Sequence, residues 1–338
     1  MNDWLHTLAN WLEAGQPAVI VTAVRTDGST PREVGATMLV GRASTADTIG
    51  GGHLEWLASA AAREILAEGG APRLMRFALG ASLGQCCGGV VWLVLERVEV
   101  REAAAWRTRS EALAAGQILQ RRLVSGDEGS LWSVSDGTPR DKHPTGFWSD
   151  GGHWQFEQQV MATRFPVVLF GAGHVGEAIA RALSPLGAQV SWVDSRDGIF
   201  PDALPAGVHP ILSDTPCAEV RAAVPGSYFL VLTHSHSLDF ELCEAIFTRQ
   251  DFAWFGLIGS ATKRASFEHR LVARGLDPAR LADMACPIGI PGIRSKQPAV
   301  IAASVAAQLL QVREARDAVA RVARPVMLSP FILTGVRP

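Results

Sequence analysis

Several things are scarce in this sequence, and each scarcity narrows the possibilities. The 338 residues carry 31 basic and 33 acidic side chains, a formal net charge of -2. No field of either sign therefore draws the chain to nucleic acid or to an anionic membrane. No uninterrupted apolar run approaches the roughly 20 residues that span a bilayer. No basic stretch leads into an apolar core and cleavage site at the N-terminus, so no signal peptide is expected. There are only five cysteines, an odd number in a chain of this length. A disulfide framework is not expected, and a reducing cytoplasm fits best. No Cys-x-x-Cys with a second pair occurs, which argues against a structural zinc site.

What the chain does have is core-forming material, with 48% hydrophobic and 19% charged residues. That composition describes a globular protein, and its length suggests two domains. The pattern places an α+β domain at 1–100, a connecting segment with short strands at 101–162, a Rossmann-like domain at 163–325 and a tail at 326–338. The predicted fold class is α/β: a parallel sheet with helices on both faces, preceded by a smaller α+β domain.

The second half is organised around a glycine turn. Val167 to Phe170 has the composition of a buried parallel strand. Gly171, Gly173 and Gly176 follow as Gly-x-Gly-x-x-Gly with His174 inside the motif, and Val175, Ile179 and Leu183 then recur at helical spacing. In such a unit the first glycine makes the turn, the second admits a phosphate, and the third lets the helix pack on the strand. A second apolar strand, Gln189 to Val193, ends in Asp194, about 20 residues onward. An acid at that point typically takes a ribose hydroxyl, and the nearby Arg196 can neutralise a phosphate.

Tyr228 to Thr233 reads as a further strand, followed by Thr233-His234-Ser235-His236-Ser237-Leu238-Asp239. Ligands of open α/β sheets bind at the carboxyl ends of strands, where this cluster falls. His234 and His236 suit hydrogen bonding or acid/base work, and a metal site with Cys243 or Asp239 is the other reading. Lys263 and Arg264 open a helix after Phe255-Gly-Leu-Ile-Gly-Ser260. They suit either a phosphate or an ordinary solvated helix start.

In the first half, Trp4, Leu5, Leu8, Trp11 and Leu12 form one face of a helix. Strands are read at 18–24 and 36–40, with a helix from Thr48–Glu55 to about Glu68. Two loops stand out, Gly28-Ser29-Thr30-Pro31-Arg32 and Gly50-Gly51-Gly52-His53-Leu54-Glu55. Each can be a tight connection or can present backbone N–H groups to an anion. Gly84-Gln85-Cys86-Cys87-Gly88-Gly89 then precedes a strand at 90–95. A vicinal pair among glycines suits a thiolate that ligates a soft metal or acts as a nucleophile, with buried structural cysteines as the other reading. Short strands are read at 117–123, 130–134 and 154–159, and 135–152 as a linker or extended loop pair.

Taken together, the Gly28–Arg32 loop with Gly35-Ala36, Ile49-Gly50-Gly51-Gly52-x-Leu54-Glu55 and Gly84-Gln85-Cys86-Cys87-Gly88-Gly89 resemble the amino-terminal domain of the XdhC/CoxI family. The second half resembles that family's Rossmann domain through the glycine turn, Thr233-His234-Ser235-His236-x-x-Asp239, Gly256-Leu257-Ile258-Gly259-Ser260-x-x-Lys263-Arg264 and Pro287-Ile288-Gly289. The stretch from Gly289 to Pro298 departs from the commoner family form, which has an acidic segment there. It reads as a feature of the xanthine dehydrogenase branch.

The resemblance implies an accessory protein that binds molybdenum cofactor, shelters it during sulfuration and passes it to apo xanthine dehydrogenase. The implied partners are that enzyme and a cysteine desulfurase, and the apolar, alanine-rich helix read at 299–313 points separately to a second copy of the chain. Gln85, Cys86, Cys87, Gly171, Gly173, His174, Gly176, Asp194, His234, His236 and Lys263 are the expected cofactor-binding residues. Cys86 or Cys87 would approach the molybdenum as thiolate, and the Rossmann pocket is open to a nucleotide. The alternatives are an NAD(P)-dependent oxidoreductase, or a nucleotide-binding scaffold with no cofactor site of its own.

Overall fold

A computed structural model describes residues 4–80, 88–135, 145–162 and 164–323. The chain separates into two compact units, Asn2–Ala162 and Thr163–Arg324.

The first unit begins with α1 (Trp4–Glu13), β1 (Ala18–Asp27), β2 (Thr37–Val40), β3 (Thr45–Asp47), α2 (Gly52–Glu68), β4 (Arg73–Ala78) and β5 (Val90–Val98). The strands form a sheet of order β3-β2-β1-β5-β4, antiparallel at every pairing. Both faces of β1 and β5 are buried, so these strands read as continuous β-branched runs rather than as alternation. One face packs Val19, Val21, Met38, Leu93 and Leu95 against Leu54, Ala58, Ala62 and Ile65 of α2. The other face carries Ile20, Leu39 and Val98, which meet Trp4, Leu5, Leu8 and Leu12 of α1. The face of α1 read from the sequence is thus docked on its own unit.

The segment that follows adds α3 (Ala103–Ala114), β6 (Leu119–Val124), β7 (Leu131–Val134), β8 (Thr145–Asp150) and β9 (His153–Val160). These strands form a second antiparallel sheet of order β7-β6-β9-β8. Leu123, Trp154 and Phe156 from this sheet pack on Val24 and Val94 of the first. Arg121 is fully buried where the two sheets meet. It pairs with Glu96, donates to Thr22 Oγ1 at 3.0 Å, and lies 5.8 Å from the ring centroids of Trp4 and Trp132. A buried charge survives only when paired in this way.

The second unit comprises β10 (Phe165–Phe170), α4 (His174–Leu183), β11 (Ala188–Asp194), β12 (Val208–Leu212), α5 (Pro216–Ala222), β13 (Tyr228–Val231), α6 (His236–Phe247), β14 (Trp254–Leu257), α7 (Ala261–Ala273), β15 (Met284–Ala285) and α8 (Pro298–Ala323). The sheet order is β12-β11-β10-β13-β14-β15, with parallel pairing throughout. Counted from β10 as the first strand this is 3-2-1-4-5-6, the doubly wound Rossmann order. Alternate residues feed the two faces. Val167, Leu169, Val190 and Trp192 join α4 and α8, and Val168, Phe170, Phe229 and Phe255 join α5, α6 and α7.

The sequence did not mark β4, β8 or β12 as strands, and the physical reason is shared. All three are edge strands. Arg73 and Arg76 interrupt β4, His209 and Pro210 interrupt β12, and the outer half of β8 is exposed. Edge strands need no apolar run, and proline is tolerated there because one row of N–H groups has no ladder partner.

Candidate functional site

The reversal of strand order lies between β10 and β13, and a cleft opens there at the carboxyl ends of the strands. Gly171, Asp194, Ser195, Thr233 and His234 are among its lining residues. The space, counted out to its solvent mouth, is about 230 Å³. Its interior proper is about 10 Å³, room for about one water molecule, so the cleft encloses no ligand and a phosphate would approach the turn from the open side.

The three glycines of the turn have separate roles. Gly171 has φ +112°, and a Cβ on it would stand 2.3 Å from the Leu232 carbonyl oxygen. A Cβ on Gly176 would stand 2.1 Å from the Gly171 carbonyl oxygen, so the helix packs on the strand only without a side chain there. A Cβ on Gly173 would meet nothing within 4 Å. Gly173 is also the N-cap of α4, which has no side-chain cap. The turn therefore leaves backbone N–H groups at a helix N-terminus facing open space, an arrangement suited to an anion. His174 opens α4 and is exposed.

Asp194 reaches back into this turn, with its Oδ2 accepting the Ala172 N–H at 2.7 Å. Arg196 grips the same carboxylate at 2.8 and 2.9 Å. Burial by itself would raise the Asp194 pKa, but the Arg196 guanidinium and the N–H groups of Ala172 and Arg196 outweigh it and hold the carboxyl at about 2. The acid is thus ionised and already occupied by the chain, where the sequence suggested an acceptor open to a ribose hydroxyl.

Lys263 also differs from the phosphate-facing reading. Its Nζ donates to Asp239 Oδ2 at 2.5 Å and to the Ile258 carbonyl at 3.0 Å, and its side chain is 10% exposed. Arg264 is held by Glu268 and by the Cys286 carbonyl. The cations at this helix start are tied to the chain itself. Asp239 Oδ1 accepts both the backbone N–H and the hydroxyl of Thr233, so one carboxylate joins the loop after β13 to the start of α7.

His234 lines the cleft, while His236 is exposed as the first residue of α6. The metal reading of the histidines with Cys243 or Asp239 is not supported. Cys243 is fully buried in the helix-covered core, and burial pushes its thiol strongly upward. Among the described residues, no group of three or more His, Cys, Asp and Glu side chains could hold a metal ion.

In the first unit the structure brings three motifs to one end of the five-stranded sheet. The Gly89 N–H donates to the Ser29 carbonyl at 3.0 Å, and a Cβ on Gly89 would stand 2.4 Å from that oxygen. Gly50 sits on Pro31, where a Cβ would be 2.4 Å from the proline ring. The N–H groups of Ile49 and Gly51 donate to Glu55 Oε1 at 2.9 and 2.8 Å, joined by the Thr48 hydroxyl. The anion held by the triple-glycine loop is therefore the chain's own Glu55, three residues after the last glycine, and nothing in the spacing announced it. Gln85, Cys86 and Cys87 lie outside the described residues.

Comparison with known proteins agrees with this two-part reading. Residues 167–309 match the XdhC Rossmann domain, and residues 11–78 match the XdhC and CoxI family. YqeB, an uncharacterized protein of Escherichia coli (strain K12), is 28% identical over 228 residues, covering 63% of this chain and 41% of YqeB. The chain thus spans about two-fifths of the length of that relative. A protein of Bacillus subtilis (strain 168), described as a probable xanthine dehydrogenase subunit, is 24% identical over 342 residues, covering 91% of this chain and 97% of that protein. The crystal structure of a xanthine dehydrogenase from Bacillus halodurans superposes with a TM-score of 0.73 at 20% identity, over 97% of this chain and 98% of that one, a likeness of fold. With a match in each unit, in the same order along the chain, the protein belongs to the XdhC and CoxI family.

Proposed function

We propose that this chain is an accessory protein in the maturation of a xanthine dehydrogenase. It would bind molybdenum cofactor, protect it while it is sulfurated, and deliver it to the apo-enzyme, in company with a cysteine desulfurase and as a homodimer. The observation that carries this reading is the paired family match across both units, joined to a glycine turn with an open position at Gly173. Likeness along nearly all of the Bacillus subtilis protein points the same way.

The residues of the second unit fit the phosphate end of such a cofactor. The uncapped start of α4 and the bare Gly173 give a phosphate room and N–H donors. The cleft is too small for the whole cofactor, so the pterin and the metal would extend beyond it. When bound, the cofactor supplies the molybdenum and its dithiolene. The chain's task is to bind, orient and shield. Cys86 and Cys87 are the residues we assign to the metal or to the sulfur it receives, because a thiolate is a soft ligand.

Metal and pterin analysis of the purified full chain, before and after loading with cofactor, tests this reading. Near-stoichiometric molybdenum and pterin, reduced in Cys86→Ala or Cys87→Ala while the fold persists, is the expected result. Absence of pterin and metal after loading, or full retention in both single variants and the double variant, would overturn it. The 3-2-1-4-5-6 sheet order favours one competing reading, an NAD(P)-dependent oxidoreductase, and hydride transfer to or from a nicotinamide would support that instead.

A further inference from the structure

The carboxylate of Asp194 is saturated. Its Oδ1 accepts the Arg196 backbone N–H at 3.0 Å and Arg196 Nε at 2.9 Å. Its Oδ2 accepts Arg196 Nη2 at 2.8 Å and the Ala172 N–H at 2.7 Å. These donors fill the roughly four lone-pair positions of a carboxylate. An acid at the end of this strand ordinarily takes a ribose hydroxyl. Here a hydroxyl could enter only by breaking the grip of Arg196 or by detaching Asp194 from the turn.

The exposures of the two partners are opposite. The Asp194 side chain is 4% exposed and that of Arg196 40%. Arg196 directs Nε and Nη2 at the acid, and Nη1 has no partner among the described residues. Two other cations that follow strands of this sheet are already engaged, Lys263 with Asp239 and Arg264 with Glu268. A guanidinium clamped on one side by a buried carboxylate and bare on the other is preorganised for a second oxyanion. The cost of ordering a long side chain is then largely met before binding.

We propose that Asp194 and Arg196 form a phosphate-reading subsite beside the cleft that Asp194 lines. Asp194 is the holder and Arg196 the contact, and together they select a ligand carrying a phosphomonoester over the same ligand with a free hydroxyl. The inference rests on reading the second unit as a ligand-binding Rossmann domain, and it names the chemistry that the site distinguishes. The same phosphomonoester chemistry occurs on a phosphorylated ribose and on the side chain of a pterin.

Two matched pairs of probes test it in the full chain by titration calorimetry: NADP⁺ against NAD⁺, and a pterin bearing a terminal phosphomonoester against its alcohol. The wild type should bind the phosphorylated member of at least one pair about tenfold or more tightly, and inorganic phosphate should compete. Arg196→Ala should bring the two members within about twofold while the fold is retained by circular dichroism at a lowered melting temperature, since Asp194 loses its main partner. Arg196→Lys, which keeps the charge and loses the fork, should fall between in discrimination. Equal binding within both pairs, or discrimination that survives Arg196→Ala, would overturn the subsite. Discrimination confined to the NADP⁺ pair upholds the subsite and counts against molybdenum cofactor as the occupant. Discrimination in the pterin pair upholds the subsite and agrees with the proposed function.

Discussion

Lys263 and Asp239 form a nearly buried ion pair, with Nζ 2.5 Å from Oδ2 and side chains 10% and 1% exposed. The pair links the loop that carries His234 to the first turn of α7 through Thr233, whose N–H and hydroxyl both donate to Asp239. Removing one partner leaves the other charge buried and unpaired, which costs about 3–5 kcal/mol. Lys263→Met should therefore shift the denaturant midpoint of this unit strongly, and Lys263→Met with Asp239→Asn should shift it less. A double variant as destabilised as the sum of the singles would show that the two residues act independently.

The glycine turn separates folding from binding. Gly176→Ala places a Cβ 2.1 Å from a backbone oxygen that cannot retreat, so loss of the folded second unit is expected by circular dichroism. Gly173→Ala meets nothing within 4 Å, and its backbone φ of -82° suits any residue. That variant should melt normally yet bind phosphorylated ligands at least about tenfold more weakly, because the methyl occupies the approach to the N–H groups. Wild-type affinity in Gly173→Ala would mean that no phosphate sits there.

Asp194 predicts an acid dependence of stability. Its folded pKa of about 2 lies below the ordinary 3.8, so the unfolded chain takes up the proton first as pH falls. The stabilisation, up to about 2 kcal/mol from a shift of nearly two units, is complete above about pH 5 and fades as pH falls towards 2. Comparing wild type with Asp194→Asn by denaturant titration should give a difference that holds from pH 7 to 5 and shrinks below 4. A difference that does not change with pH would place its origin elsewhere.

Glu55 closes the Thr48–Gly51 turn from within, and its loss frees the N–H groups of Ile49 and Gly51. Glu55→Ala should cost about 1–3 kcal/mol and speed amide exchange at those two positions, while Glu55→Gln, which retains an acceptor oxygen, should cost less. Unchanged exchange at Ile49 and Gly51 in Glu55→Ala would rule out the closure.

Much of the fold was written in local pattern. Val167–Phe170, the three glycines and the helical spacing of Val175, Ile179 and Leu183 specify a strand, a turn and a helix within a few residues of one another, because turn geometry and burial periodicity are short-range constraints. The α1 face and the central strands β1 and β5 were legible for the same reason. The outer strands β4, β8 and β12 were not, since an edge is defined by which neighbours a strand lacks.

The sequence by itself determined that the second unit would be a Rossmann sheet with Gly171, Asp194 and His234 at the carboxyl ends of its strands, and the cleft contains all three. Only the tertiary structure decided which charges remain available there. Spacing identifies Asp194, Lys263 and Glu55 as charged groups near glycines, but it cannot say whether each faces a ligand or another part of the chain. Folding supplied Arg196 to Asp194, Asp239 to Lys263, and the N–H groups of Ile49 and Gly51 to Glu55. A charge that folding takes out of water must be paired, and for Lys263 the partner lies 24 residues away, brought close only when β13 and β14 align side by side.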